Sequence, residues 1–189
     1  QAQQAAGADN AIAKKFHRDV FSIQGMRRMG KAIPDNMSPS VLKFVDDFDK
    51  YMEYNHNKLV ENNIAGYSAD RKIKHYISHI WPSGQMKGQI SKYSEDDVVT
   101  LLTQSYQSFA NNAGKPLDTK KAKEQAESLI EWVLKRDKNV DEFMPTVDAR
   151  AKTRNDLDTT MSLPNGLSVL DLLNTEVPEI MTKYSNRLG

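Results

Sequence analysis

The feature that most constrains this chain is an apolar stripe between Ser38 and Asn63. Val41, Phe44, Val45, Phe48, Met52, Leu59 and Val60 recur at three- and four-residue steps. That period places side chains on one face of an α-helix and excludes a half-buried β-strand, whose period is two. Ser38 offers a capping hydroxyl ahead of it, and the fixed φ of Pro39 suits the first helical position. Further helical stretches are predicted along the chain. Over Asp9–Ala32 the same period runs through Ile12, Phe16, Val20, Ile23 and Met26 or Arg27 behind a Gln-Ala-rich lead-in, with Pro34 as the predicted stop. Ser94 with Glu95-Asp96-Asp97 opens a helix that buries Val98, Leu101, Leu102, Tyr106 and Phe109 and ends at Asn111-Asn112-Ala113-Gly114. Asp118 or Thr119 opens the next, with Ala122, Ala126, Leu129, Ile130, Val133 and Leu134 inward and Lys135-Arg136 at its negative end. A short helix is predicted near Met86–Lys92, and closing helices over Leu170–Leu173 and Pro178–Arg187.

Three stretches lack that period. Residues 64–84 concentrate Gly, aromatics and bases with partial alternation through Ile73, His75, Ile77 and His79, and read as an ordered connector. Residues 137–158 are highly charged with few apolar positions and read equally as helix or loop. Between Thr160 and Val169, a Pro164-Asn165-Gly166 turn separates two short apolar arms, which predicts a small hairpin. The expected fold is all-α: an irregular multi-helix bundle with an ordered Gly/aromatic connector and a small β-hairpin near the C-terminus. A helical extension over 1–37 would precede a helical domain over 38–189.

The formal net charge of +1 sets up no global field toward nucleic acid or an anionic membrane, so any such contact must be local. Residues 67–93 hold five Lys/Arg against one acid. Arg71, Lys72, Lys74 and Lys87, interleaved with aromatics, are therefore the candidate DNA contacts. The plainer reading is that Tyr67, Tyr76 and Trp81 bury their rings and that the charge blocks are solvated faces.

The absence of Cys removes disulfides, thiolate metal sites and thiol nucleophiles together. His75 and His79 would share one face if helical, but Tyr76 follows His75 where a metalloprotease has Glu, and structural hydrogen bonding is the favoured role. Glu127-Ser128 resembles the acid pair of lytic transglycosylases without the downstream Gly-x-Met-Gln type segment, and Glu127 sits on the polar face of its helix. No phosphate-cradling loop or nucleophile elbow is present. The expectation is no catalytic residue, metal or cofactor, and no small-molecule substrate. Gln1 is not an initiator Met, and both ends read as boundaries of a segment within a larger protein.

The order of features carries a resemblance. After the helix over 41–62 come Gly66-Tyr67, then Tyr76, His79 and Trp81 in a Tyr-x-x-His-x-Trp pattern. Two helices follow, then Leu163-Pro164-Asn165-Gly166, Ser168-Val169-Leu170-Asp171-Leu172, and Tyr184-Ser185-Asn186-Arg187 before Gly189. Over roughly residues 38–189 this resembles the middle of the large internal virion, or ejection, proteins of short-tailed bacteriophages. Ser78 stands where that family has Pro, and Asn165 where it has Asp. The resemblance implies a structural role, with the parent packaged in the virion interior, ejected with the genome, and helping to form a conduit for DNA across the host envelope. It implies homo-oligomers, partnership with other internal virion or tail proteins, and a periplasmic location after ejection. Some members carry a lytic transglycosylase domain elsewhere; none of its residues is carried over here. The alternative function is a helical nucleic-acid-binding module using the basic residues above.

Overall fold

The computed structural model describes residues 2–64, 68–69, 74–77, 79–135 and 156–185, with backbone alone at 2–8 and 183–185. Among these the fold is all-α, with six α-helices: α1 (Ala2–Arg28), α2 (Pro39–Glu61), α3 (Ser83–Lys92), α4 (Glu95–Asn112), α5 (Thr119–Lys135) and α6 (Val177–Ser185). One 3-10 helix spans Val169–Leu172. The chain forms two compact units, residues 1–77 with 175–189, and residues 78–174.

In the first unit the apolar stripes of α1 and α2 meet. Val20, Phe21 and Ile23 from α1 and Val41, Val45 and Phe48 from α2 are buried. Phe16 stands edge-on to Phe44, with ring centroids 5.4 Å apart, while Arg27 reaches Asp46 at 2.7 Å. Phe16 and Arg27 lie about 16 Å apart along α1, whereas Phe44 and Asp46 lie about 3 Å apart along α2. Val177 and Ile180 of α6 are also buried, and His17 Nδ1 lies 2.9 Å from Glu176 Oε2.

In the second unit α4 and α5 form the main pair, with α3 packed against both and the 3-10 helix against α3 and α4. Ala122 and Ala126 on α5 are fully buried, and their small side chains let the backbone of α5 approach its neighbours closely. Val98, Leu101 and Leu102 of α4 and Leu129, Ile130 and Val133 of α5 complete that core. After α5, the described chain re-enters at Asp156. Leu157 is buried, and so is the Asp158 carboxylate, which accepts from Ser108 Oγ at 2.6 Å and from the Thr160 N–H at 3.0 Å. Ser105 Oγ donates to the Asp158 carbonyl at 2.9 Å. Two serines one turn apart on α4 thus hold this segment down, and they satisfy an acid that would be expensive to bury alone.

The helix ends follow local chemistry. Ser94 Oγ accepts from the Asp97 N–H at 3.0 Å, and Asp118 Oδ1 from the Lys121 N–H at 2.9 Å; both satisfy first-turn donors left open by helix geometry. That bond is the main reason the Asp118 carboxyl is held below the usual carboxylate range. Ser38 does not cap α2 as predicted: its side chain makes no capping bond, and its hydroxyl lies 2.8 Å from Ser40 Oγ. Pro39 needs no N–H partner, so the helix starts without it.

At the other end, α1 stops at Arg28, before the stop predicted from Pro34. Gly30 has φ +63, its N–H donates to the Arg27 carbonyl, and the Lys31 N–H donates to the Met26 carbonyl at 2.8 Å. This paired closure needs a left-handed residue just past the helix, a conformation that glycine reaches without steric cost. Asn63 (φ +53) closes α2 through Val60 and Leu59 in the same way, and Gly114 (φ +67) closes α4 through Asn111 and Ala110.

The small hairpin predicted over 160–169 does not form. The turn at Pro164-Asn165-Gly166 is present, with Gly166 at φ +92, but its arms share a single antiparallel bridge, Ser162 to Ser168. Val169 turns at once into the 3-10 helix, which buries Val169, Leu170 and Leu172 better than an isolated two-stranded ribbon could. Of residues 137–158, where helix and loop were equally expected, 137–155 lie outside the described residues, and 156–158 are not helical.

Ser94→Ala removes the cap of α4 and is expected to lower stability by about 1 kcal/mol. Urea unfolding would show this as a lower midpoint with unchanged m-value; an unchanged midpoint would contradict the capping role.

Candidate functional site

Parts of two stretches singled out in the sequence, 76–81 and 163–172, lie in the second unit, where the segments that adjoin them are bonded together. Ile80 and Trp81 are strongly apolar and sit directly before Pro82, which blocks helix continuation and stands as the residue preceding α3. Both side chains are buried, Ile80 to 1% exposure and Trp81 to 2%. The backbone of Ile80 pairs with Asn174 in an antiparallel bridge, the Asn174 N–H donating to the Ile80 carbonyl at 2.9 Å. One helical turn into α3, the Gln85 amide donates both of its N–H bonds: to the Asp171 carbonyl and to the Leu173 carbonyl, each at 2.8 Å. A primary amide has two hydrogens to give. Gln85 uses them to tie down the end of the 3-10 helix.

The opposing stretch is shaped by its own short-range bonds. The Gly166 N–H donates to the Leu163 carbonyl at 3.0 Å, and the Leu163 N–H donates to the Leu167 carbonyl at 2.8 Å. Asn165 Oδ1 accepts from the Leu167 N–H at 3.1 Å, the side-chain-to-backbone turn that Asn and Asp both make. Asn165 thus does what an aspartate would do there. The Asp171 carboxylate accepts from the Ser168 N–H at 2.9 Å, so the Ser-Val-x-Asp-Leu step is a helix-capping device. Leu167, Leu172 and Leu173 are buried at 1% exposure or less. Trp81 Nε1 is buried without a hydrogen-bond partner, and His79 meets the Trp81 ring edge-on at 6.3 Å. The seam uses Trp81 for its apolar area.

The first unit holds a polar hub at Asp49. Its Oδ1 accepts from Gln24 Nε2 at 2.8 Å, and its Oδ2 from Arg27 Nη1 at 3.1 Å. His75 Nδ1 lies 2.8 Å from the same Oδ2. Arg27 bridges Asp49 and Asp46, so α1, α2 and the end of the connector converge on one carboxylate. His75 has φ +52, sparsely populated for a non-glycine residue, and the Asp49 contact helps hold it there. His56 Nε2 lies 3.1 Å from the Ser68 carbonyl oxygen and fastens the connector's other described stretch to α2.

The two histidines singled out in the sequence do not share a helix face. His75 lies in a turn, so the helical face that would present it beside His79 is not formed, and its Nδ1 is engaged by Asp49. Among the described residues no group of three potential metal ligands is assembled. Glu127 is exposed on α5 with Lys123 Nζ 3.7 Å away, and Ser128 is exposed beside it. Other charged side chains on the helix faces pair locally: Lys43 holds the Asp47 carboxyl below its usual range, and Lys135 does the same to Glu131. These are solvated pairs.

Of the residues singled out in the sequence, Trp81 is buried and His79 and Tyr76 are half-buried, while Pro164, Asn165 and Gly166 form an exposed turn. Lys74 and Lys87 are exposed. Gly66, Tyr67, Arg71, Lys72 and Arg187 lie outside the described residues, and Tyr184 is described only as backbone within α6. Gln85, Asn174 and Asp49 were not anticipated. Asp171 has a signal that could have been read directly, a Ser followed three residues later by an acid. No helix among the described residues is long and apolar enough to cross a membrane. Compared with known proteins, the chain matches no family model and no curated sequence.

Replacing Gln85 with Ala leaves the Asp171 and Leu173 carbonyls without their donor, and is expected to destabilise the second unit by about 1–3 kcal/mol. Tryptophan fluorescence during urea unfolding reads this directly through Trp81; a wild-type midpoint would show the amide bonds to be dispensable.

Proposed function

We propose that this chain is a non-enzymatic structural segment of a phage internal virion protein, ejected with the genome and helping to form the conduit that carries DNA across the host envelope. The observation that supports this reading is the seam. The two stretches that carry the resemblance are far apart in sequence, yet Ile80 and Trp81 from one and Leu167, Val169, Leu170 and Leu172 from the other are buried in the same unit, where Ile80 is bonded to Asn174 and Gln85 to Asp171. Their residue types are explained by packing, turn geometry and capping, as a scaffold requires. Helical structure with its many local contacts also suits a protein that must unfold to pass a narrow tail and refold quickly beyond it. The chain has no Cys to cross-link against such passage. Its partners in this reading are copies of itself and other internal virion or tail proteins, and any transglycosylase activity belongs to another part of the parent.

Quantitative mass spectrometry of purified particles tests this. Peptides of this chain are expected in intact particles, depleted from particles after triggered DNA release, and recovered in the host envelope fraction. Retention of the protein in emptied particles, or its absence from particles altogether, would refute the proposal.

The alternative, a nucleic-acid-binding module, draws on the exposure of Lys74 and Lys87, with Arg71 and Lys72 as the further candidate contacts. Under it, affinity for duplex DNA falls with a log–log salt slope of about −0.9 per phosphate neutralised, and Lys87→Ala makes that slope shallower by about one. No binding near 50 mM salt, a concentration at which about four phosphate contacts would still hold the chain to DNA, would dispose of it.

A further inference from the structure

The first unit is interrupted in sequence: its chain leaves at Ile77 and returns at Thr175, and everything between belongs to the second unit. Just inside that interval, the entering and leaving strands are fastened to each other. Ile80 and Asn174 form an antiparallel bridge, and Gln85 binds the Asp171 and Leu173 carbonyls immediately before Asn174. Backbones paired in this way run about 5 Å apart. The unit's two ends are therefore closed by bonds made entirely within it. It also has a buried core, with Trp81, Met86, Leu102, Ile130, Val133 and Leu167 all at 3% exposure or less. At on the order of 100 residues it has the size of a domain able to fold alone.

From these observations we infer that residues 78–174 are an inserted module that folds and opens as its own cooperative unit, closed at a neck formed by Ile80, Asn174 and Gln85. The neck makes the dependence one-sided. While the module is folded, its joined ends link residues 1–77 to 175–189 as a short loop would. When it unfolds, that link becomes a long flexible loop, whose closure entropy weighs against the first unit. The module itself needs nothing from the first unit to keep its ends together. Opening of this kind, one contiguous segment at a time, is how sub-global unfolding units behave.

Both tryptophans, Trp81 and Trp132, fall inside the module. Tryptophan fluorescence therefore reports the module in the intact chain, while far-UV circular dichroism reports the helices of both units. Urea unfolding of the full chain is compared for wild type, Phe48→Ala and Val45→Ala in the first unit, and Leu102→Ala in the module. The first-unit variants are expected to lower a dichroism transition by about 1 M or more, with the fluorescence midpoint unchanged. Leu102→Ala is expected to lower the fluorescence midpoint. Should Phe48→Ala leave the first unit unfolded altogether, a persisting wild-type fluorescence transition still supports the module. The milder Val45→Ala covers the same point. A fluorescence midpoint that falls together with the dichroism midpoint in the first-unit variants overturns the inference.

Discussion

The segment around the 3-10 helix of the second unit is anchored by two hydrogen bonds made by a single amide. Gln85 reaches from the first turn of α3 to the carbonyls of Asp171 and Leu173, and these bonds anchor the 3-10 helix and the residue that follows it. The 3-10 helix is too short to be stable by itself, and the turn before it has one bridge. Their apolar residues stay buried because the backbone that carries them is anchored. Removing an anchor of this kind exposes or strands several groups at once, so its effect exceeds that of an ordinary exposed bond.

Asp49 plays the corresponding part in the first unit by a different physical route. There the elements already share an apolar contact through Val20, Phe21, Val45 and Phe48. What the carboxylate adds is direction. Nonspecific apolar contact between two helices leaves their mutual rotation poorly determined. Asp49 receives Gln24 and Arg27 from α1 at fixed distances, and Arg27 also engages Asp46 a turn away on α2. Two points of attachment on one guanidinium define an orientation. Gln24 is buried with Oε1 unpartnered, a cost tolerated for the bond its Nε2 makes.

Helical periodicity made most of the secondary structure legible. The stripes of α2, α4 and α5 are long enough to fix both type and face, and the cap at Ser94 and the stop at Gly114 were readable because those residues act within one turn of where they sit. Pro34 masked the true end of α1, since Gly30 acts first, and a turn motif with apolar flanks suggested strands that the following 3-10 helix pre-empts. The seam was not legible. Gln85 binds main-chain carbonyls distant in sequence, and a donor to backbone leaves no complementary side chain to recognise. Asp49 was hidden for a related reason: on a polar helix face, an acid in a three-way hub and an acid in water look alike.

This placement also bears on how a surface for partners would have to be built. Ile80, Trp81, Leu167 and Leu172 are enclosed in the second unit and cannot touch another molecule while it is folded. If the chain is part of a phage conduit, recognition between copies must rest on other residues, among them the exposed turn at Pro164 to Gly166 and the solvated faces of α4 and α5, where Glu95, Asp96, Lys120, Lys123 and Glu127 are exposed. Those faces carry both signs of charge. Contacts made through them would be polar, salt-sensitive and individually weak, and would become firm only through repetition around a ring or along a tube. Contacts of that kind can be undone and remade at little cost, because each is weak by itself.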